Sequence, residues 1–95
     1  MIYSVARADV DEATHANVLG AWSDLVVGER PSGLVDSYLL KSERTIQIVA
    51  AWNSLADHDR AVHEEGAHPG YAVFEAAGLD CTHDVYDVLG SIHEH

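Results

Sequence analysis

Basic side chains are scarce in this sequence. Five Lys and Arg residues stand against 16 Asp and Glu residues, and the formal net charge is -11 at pH 7 with neutral histidines. Proteins that bind nucleic acids or anionic membranes depend on Lys and Arg to neutralise phosphate groups. The composition therefore argues against nucleic acid and membrane partners, and it is typical of a solvated acidic surface.

Cysteine is almost absent too, since Cys81 is the only one and no disulfide can form within the chain. A reducing compartment fits this, and we expect a cytoplasmic protein. The N-terminal stretch MIYSVARADVDE has no basic region followed by an apolar run, so we expect no signal peptide. Long hydrophobic runs are also missing, because none approaches the roughly 18 residues of a membrane span.

The chain has 95 residues, of which 47% are hydrophobic. This composition is ordinary for a globular protein, and the length predicts a single domain spanning residues 1–95. A domain of this size is only marginally stable alone and often gains stability by forming oligomers.

The stretch TIQIVAAW at residues 45–52 predicts a central β-strand. One face carries four apolar side chains, those of Ile46, Ile48, Ala50 and Trp52. The other face carries Gln47, Val49 and Ala51, so neither face is clearly polar. A strand exposed on one side would alternate sharply, and we therefore expect helices on one face and a second copy of the chain on the other.

Three further strands are predicted at residues 2–10, 34–41 and 82–89. Helices are predicted from Asp9 or Asp11 to about Glu29, from Ser54 to about Glu65 with Gly66 as the stop, and from Pro69 to Ala77. Asp9 with Glu12 resembles an acidic capping box, and Ser54 with Asp57 a second. The order βαββαβ predicts an α+β, ferredoxin-like fold with a four-stranded antiparallel sheet, in which strands one and three are central.

The apolar spacing also predicts which side chains share a face. The first helix should bury a stripe of six side chains, His15, Val18, Leu19, Trp22, Leu25 and Val26. The second should place Leu55, His58 and Val62 together, and the third Tyr71, Phe74 and Ala77, or Val73 and Phe74. On strand two, alternation places Leu34, Asp36, Tyr38 and Leu40 on one side.

Several motifs resemble those of the antibiotic biosynthesis monooxygenase-like family, within the dimeric α+β barrel superfamily. They are the opening MIYSVARADV, the turn RPSGLVDSYLL, the segment IQIVAAWNSLADHDRAV with its Trp-Asn-Ser, and HPGYAVFEAAG. The resemblance covers nearly the whole chain. It implies a homodimer formed through the sheet face and, in each protomer, a pocket between sheet and helices for a small hydrophobic or aromatic metabolite.

The same resemblance implies several possible activities. Characterised members include cofactor-independent monooxygenases that act on polyketide quinols, haem-degrading enzymes, and enzymes that act on small signalling molecules. The haem-degrading branch uses an Asn on the first strand and a Trp in the second long helix. Here the strand carries Ser4 and Arg7 and the helix has no Trp, although His68 is compatible with that branch's His. We therefore expect no cofactor and disfavour haem.

A cofactor-free oxygenase needs an apolar pocket, a base to form the phenolate, and donors to stabilise the anion. The candidates for base or donor are His68, His58, Tyr71 and His15. The candidates for pocket walls are Trp22, Trp52, Tyr38 and Phe74. The alternative for each histidine is a surface or border position, and the alternative for each aromatic side chain is packing in the core.

Arg7 would place a charge on a central strand, where an unpaired charge is costly. Asp87 or Asp36 could pair with it, or Arg7 could lie at the dimer interface or bind an anionic group of the substrate. A metal site is not expected. His63 and His68 are five residues apart and would not share a helix face, and His93 with His95 at the chain end would bind metal only adventitiously.

These observations predict a monooxygenase-like enzyme acting on a small aromatic or quinol-type metabolite. The alternative is a non-catalytic dimeric module, either one that senses a metabolite as ACT-type βαββαβ domains do or a stress-response α/β barrel. The location of the pocket separates the two hypotheses, because an ACT-like module would hold its ligand between protomers.

Overall fold

The computed structural model describes residues 1–64 and 68–92. Its elements, in chain order, are β1 (Ile2–Asp9), α1 (Glu12–Val26), β2 (Leu34–Ser42), β3 (Thr45–Trp52), α2 (Leu55–His63), α3 (Pro69–Ala76) and β4 (Thr82–Asp87). The predicted α+β order is confirmed, with two short helices in the second crossover. The predicted stop of α2 at Glu65 and Gly66 lies outside the described residues, as do His93 and His95. No helix among the described residues is long and apolar enough to cross a membrane.

The four strands form one antiparallel sheet in the order β2-β3-β1-β4. Strands β1 and β3 are central, as predicted. The hairpin between β2 and β3 turns at Glu43 and Arg44, and Glu43 has a positive φ of 56°. The helices cover one face of this sheet, which we call the helix face, and the other is called the open face.

The helix face carries the core. Side chains from β1 and β3 pack there against α1 and α3 in one cluster that includes Ala6, Ile46, Ile48, Val18 and Phe74. A second cluster joins Ile2, Ala50, Trp52 and Ala61, and it brings α2 against the end of β3. The predicted division of β3 into Ile46, Ile48, Ala50 and Trp52 on one side is therefore confirmed, because these four are all buried.

The cap of α1 is one of the two predicted residues, but the capping box differs from the prediction. Asp11 is the N-cap, and its partner is Thr14: the Asp11 carboxylate accepts from the Thr14 backbone N–H at 2.8 Å, and the Asp11 N–H donates to Thr14 Oγ1 at 2.8 Å. Asp9 belongs to β1 instead, where it accepts a hydrogen bond from Thr45. The prediction of an Asp9–Glu12 box was wrong because the first strand extends through Asp9. Helix α1 also ends at Val26, three residues before Glu29.

The buried face of α1 is narrower than predicted, and that of α2 is rotated from its predicted position. On α1, Val18 is buried and Ala21, Trp22 and Leu25 pack against the core, whereas Leu19 and Val26 are exposed. On α2 the buried residues are His58 and Ala61, whereas Leu55 and Val62 are exposed. The prediction placed the largest apolar side chains against the core. In the structure the smaller Ala21 and Ala61 pack there in place of some of them.

Strand β2 contains a register shift between Leu34 and Asp36. Leu34 pairs with Trp52 and packs against the second cluster, so it lies on the helix face. Asp36, Tyr38 and Leu40 lie on the open face. The predicted alternation was wrong at Leu34, because the extra residue in a β-bulge reverses the side on which the following side chains stand.

Candidate functional site

Five aromatic rings meet where the end of β3, helices α2 and α3, and strand β4 come together. Three of them, His58, His68 and His83, form what we call the histidine cluster, and Trp52 and Tyr71 lie on either side of it. The ring centroids within the histidine cluster are 5.0–5.3 Å apart. Such a concentration of imidazoles in a chain of 95 residues makes this region the strongest candidate for a functional site.

Trp52 packs against two of the three residues of the histidine cluster. It is fully buried, and its indole Nε1–H donates to Ser4 Oγ on the neighbouring strand at 3.0 Å. Its ring stacks on His68 with centroids 5.6 Å apart and meets His58 edge-on at 5.7 Å. Because the hydrogen bond to Ser4 fixes the indole, Trp52 gives both imidazoles a rigid surface to lie against.

His58 is positioned by the start of α2. Ser54 caps this helix by accepting the Asp57 N–H, and His58 lies one turn further on, buried. Its Nδ1 lies 3.0 Å from the Asp59 carboxylate, and its Nε2 lies 3.4 Å from Nε2 of His83. A carboxylate accepts only, so His58 Nδ1 carries the proton in the neutral ring and Nε2 presents a lone pair.

His68 is the N-cap of α3, where its Nδ1 accepts from the Tyr71 N–H at 3.4 Å. Its other nitrogen, Nε2, is buried and has no hydrogen-bond partner among residues 1–64 and 68–92. Burial, followed by the charges of His83 and His58, lowers the pKa of His68 to about 3. His68 is therefore neutral at physiological pH.

A close approach between α3 and β1 holds His68 in place. Gly70 lies against Ala6, and a Cβ added to Gly70 would stand 2.6 Å from the Ala6 Cβ and 3.3 Å from Cε1 of His68. No real Cβ tolerates the first distance, so a larger residue would push the start of α3 off the sheet. Glycine at position 70 is thus part of the architecture of the site.

Tyr71 and His83 form the more accessible side of the site, with ring centroids 4.8 Å apart. Burial, and to a smaller extent Cys81, raises the pKa of Tyr71, so its hydroxyl stays protonated and can donate. Burial, together with His58, lowers the pKa of His83, and Asp84 opposes this shift. The site therefore combines the neutral imidazole of His68 with a phenol that remains a donor.

Two clefts flank the start of α3. The first, which we call the histidine cleft, has a volume of about 280 Å³ and is lined by His68, Tyr71, Ala61, Val62, Ala72, Glu64 and Glu75. The second, the tryptophan cleft, has a volume of about 190 Å³ and lies between α1, the following turn and the sheet. Its lining includes Trp22, Leu25, Leu34, Ser37 and Pro69.

The structure brings four of the nine predicted site residues together, namely His68, His58, Tyr71 and Trp52. Trp22 lines the tryptophan cleft instead, and Phe74 is fully buried in the core. Tyr38 lies on the open face of the sheet, and His15 lines a shallow groove beside Lys41 and Arg44. These four therefore lie outside the histidine cluster.

Arg7 lies on the open face, in a groove that it shares with Asp9 and Asp80. Its Nε is buried without a hydrogen-bond partner, and within residues 1–64 and 68–92 it forms no salt bridge. The predicted pairing with Asp87 or Asp36 was wrong. Arg7 pairs across the sheet with Thr82, whereas Asp87 lies beside Ile2 at the other end of β1.

His83 is the member of the site that sequence reasoning missed. It pairs with Ala6 and therefore lies on the helix face of edge strand β4. The pattern Thr82-His83-Asp84-Val85-Tyr86 carried a usable signal, because alternation places His83 and Val85 opposite the more polar side. The antiparallel register that brings His83 to His58 appears only in the folded sheet.

No family model matches the sequence, and no curated protein sequence matches it either. Solved structures match over almost the whole chain. A candidate antibiotic biosynthesis monooxygenase from Deinococcus radiodurans is 11% identical, with a TM-score of 0.77 over 100% of this chain and 99% of that chain. A second candidate from Caulobacter crescentus is 18% identical, with a TM-score of 0.72 over 94% and 90% of the two chains.

SnoaB, a cofactor-independent oxygenase from Streptomyces nogalater, is 19% identical, with a TM-score of 0.69 over 98% of this chain and 97% of that chain. At these identities the likeness concerns the fold. The protein therefore has the ferredoxin-like α+β fold of the antibiotic biosynthesis monooxygenases, as its sequence motifs predicted.

Proposed function

We propose that the protein is a cofactor-independent oxygenase that acts on a small phenol or quinol in the histidine cleft. The observation that carries this proposal is the pairing, in one cleft, of a neutral imidazole with a protonated phenol. His68 supplies the proton acceptor and Tyr71 the donor, and both line the same cleft. The fold shared with SnoaB, a cofactor-independent oxygenase, supports the same reaction class.

The chemistry follows from these two groups. An electron-rich ring reacts with oxygen more readily as its phenolate than as the neutral phenol, so the enzyme must remove the hydroxyl proton. Nε2 of His68 is the acceptor for that proton: the ring then takes the tautomer with its proton on Nδ1, at the expense of the long 3.4 Å contact with the Tyr71 N–H. The Tyr71 hydroxyl stabilises negative charge on the substrate oxygen.

The lining of the histidine cleft restricts the charge and the size of the substrate. Glu64 and Glu75 line its mouth, and Ala61, Val62 and Ala72 supply apolar wall. Carboxylates at the mouth repel anions, so the substrate is neutral before it binds. A volume of about 280 Å³ accommodates one or two fused rings and is small for a larger polyketide.

The proposal is tested by measuring oxygen consumption with a panel of one-ring and two-ring hydroquinones. His68→Gln should abolish turnover, and Tyr71→Phe should reduce it by ~10²–10³-fold through loss of one oxyanion donor. His63→Gln is the matched control, since His63 is exposed at the end of α2. Full activity in a folded His68→Gln variant would remove His68 as the base.

The tryptophan cleft favours a second candidate function, that of a binding module without catalysis. It is enclosed by Trp22, Leu25 and Leu34 and contains no histidine. Binding of an aromatic compound that quenches Trp22 fluorescence, with no oxygen uptake for any compound of the panel, would support this function. Quenching that is lost in Trp22→Phe while Trp52 is retained assigns the ligand to this cleft.

A further inference from the structure

In the histidine cluster, one ring nitrogen of each residue lies close to one ring nitrogen of each of the other two. These nitrogens of His58, His68 and His83 all lie within 4.8 Å of one another. We infer that the three histidines form a binding site for a divalent first-row transition metal such as zinc. The inference does not depend on the proposed function, since it concerns binding alone.

The distance between the first two ligands already suits a metal. Nε2 of His58 and Nε2 of His83 are 3.4 Å apart. Two nitrogens bound to one tetrahedral zinc at ~2.0–2.1 Å would lie ~3.3–3.4 Å apart. The nitrogen of His68 lies within 4.8 Å of the other two, so it has to move closer to complete a set of three imidazole ligands.

The unpartnered nitrogen of His68 is an independent sign of a ligand. The residue is only 3% exposed, and in the part of the chain that the structure describes its Nε2 has no hydrogen-bond partner. A buried polar atom of this kind costs free energy unless something binds it. A metal at Nε2 supplies the partner, and the ring proton then resides on Nδ1 at the expense of the long 3.4 Å contact with the Tyr71 N–H.

Asp59 completes the arrangement around His58. Its carboxylate lies 3.0 Å from Nδ1, the nitrogen that faces away from the cluster. Metal-binding histidines usually donate their second N–H to a carboxylate or carbonyl, which orients the ring and increases its basicity as a ligand. Asp59 therefore leaves the His58 Nε2 lone pair available to the metal.

The donor set determines which metals fit. Three imidazole ligands suit zinc, copper, nickel and iron, whereas magnesium and calcium prefer oxygen ligands. His83 is only partly buried, lies on an edge strand and has the Tyr71 ring 4.8 Å from its own, so the site is nearest to solvent on this side. Three histidines with one open position are typical of sites that bind water or a small ligand at the metal.

Occupancy by a metal and proton transfer by His68 exclude one another, because both use the same lone pair. The metal-loaded protein is therefore a distinct state of the site. Binding is measured on its own, so failure of the metal inference leaves the proposed oxygenase activity open, and the reverse holds as well.

The test is zinc titration by calorimetry, with visible spectra of the cobalt-substituted protein. The parent is the full chain carrying His93→Gln and His95→Gln, which removes the histidines of the chain end as competing ligands. The parent, stripped with chelator, should bind one zinc per chain and give the intense visible bands of tetrahedral cobalt. His63→Gln in the same parent should bind zinc with unchanged affinity.

Substitutions at two exposed or partly exposed positions, Asp59 and His83, test the site with little effect on folding. Asp59→Asn should weaken zinc binding ~10–100-fold, as expected for a carboxylate that orients a ligand. His83→Ala should weaken it further and abolish the cobalt bands. Absence of stoichiometric zinc binding by the parent, or equal binding by a folded His83→Ala variant, would overturn the inference.

Discussion

At the scale of single residues, the environment of His68 explains its chemistry. Its ring lies between Trp52, which stacks on it at 5.6 Å, and the imidazoles of His58 and His83. Burial and these neighbouring charges favour the neutral form, which is why the pKa of His68 falls to about 3. A group whose pKa is lowered by folding makes stability depend on pH.

The direction of that dependence follows from linkage. Unfolded His68 takes up its proton near the ordinary pKa of 6.5, whereas folded His68 does so only near 3. Its contribution to stability is therefore complete above pH 6.5 and is lost as the pH falls toward 3, at ~1.4 kcal/mol per pH unit at most. The pKa of His83 is also lowered, so His83 likewise makes the protein less stable as the pH falls.

The measurement is the free energy of unfolding of chelator-treated protein between pH 7 and pH 4, by urea denaturation. In His68→Gln the free energy of unfolding should fall less steeply as the pH is lowered. In His63→Gln it should fall as steeply as in the native protein. If the free energy of unfolding falls equally with pH in the native protein and in His68→Gln, the prediction is contradicted.

A second prediction at this scale concerns the hydrogen bond from Trp52 to Ser4, which is buried and 3.0 Å long. Ser4→Ala leaves the indole N–H without a partner, and the free energy of unfolding should fall by ~1–3 kcal/mol. In a Trp52→Phe background the same substitution should cost much less, because the donor is already gone. Equal losses in both backgrounds would show that the hydrogen bond contributes nothing specific.

At the scale of elements, the beginning of α2 positions the site. Ser54 caps the helix by accepting the Asp57 N–H and donating to its carboxylate, which in turn pairs with Arg60. Helix α2 has nine residues, too few to be stable in isolation. Its first turn, and with it His58, depends on this cap and on the packing of Ala61.

Ser54→Ala should lower the free energy of unfolding by ~0.5–2 kcal/mol, since one helix N–H loses its acceptor. It should also loosen His58 and so weaken the contact with His83. The matched control is Ser23→Ala on the exposed side of α1, where alanine is the better helix former. Thermal denaturation of both variants tests the prediction, and an equal shift for the two would contradict it.

At the scale of the whole molecule, the open face of the sheet is the largest unexplained feature. Four large side chains there are 41–57% exposed, namely Tyr3, Tyr38, Leu40 and Tyr86. Val5 and Val49 pair at the centre of the same face. We propose that a second copy of the chain covers this surface, which is the homodimer that the sequence resemblance implies.

Val49→Asp places a charge at the centre of that face, and the dimer should dissociate to monomer or aggregate. Each apolar side chain buried in the contact contributes ~1.5–3 kcal/mol, so an unpaired carboxylate among them is costly. Light scattering measures the molar mass of the particle in solution and so distinguishes monomer, dimer and aggregate. Leu55→Asp, at an exposed position at the start of α2, is the control and should leave the dimer intact.

The sequence by itself determined the order of the elements, the two central strands and the buried face of β3. These follow from local physics: alternation along TIQIVAAW, helix caps, and Pro69 at the start of a helix. The sequence also indicated His58, His68 and Tyr71 as chemical candidates. It misplaced the buried side of α2, because the contact is made by Ala61 and not by the larger Leu55 or Val62.

Only the tertiary structure decided that His83 joins His58 and His68. The three residues lie on β4, α2 and α3, and the distances between their nitrogens depend on the β1–β4 register and on the close approach of Gly70 to Ala6. The same packing removes His68 from water and lowers its pKa. Such properties arise from contacts between segments far apart in the chain, so no local pattern in the sequence carries them.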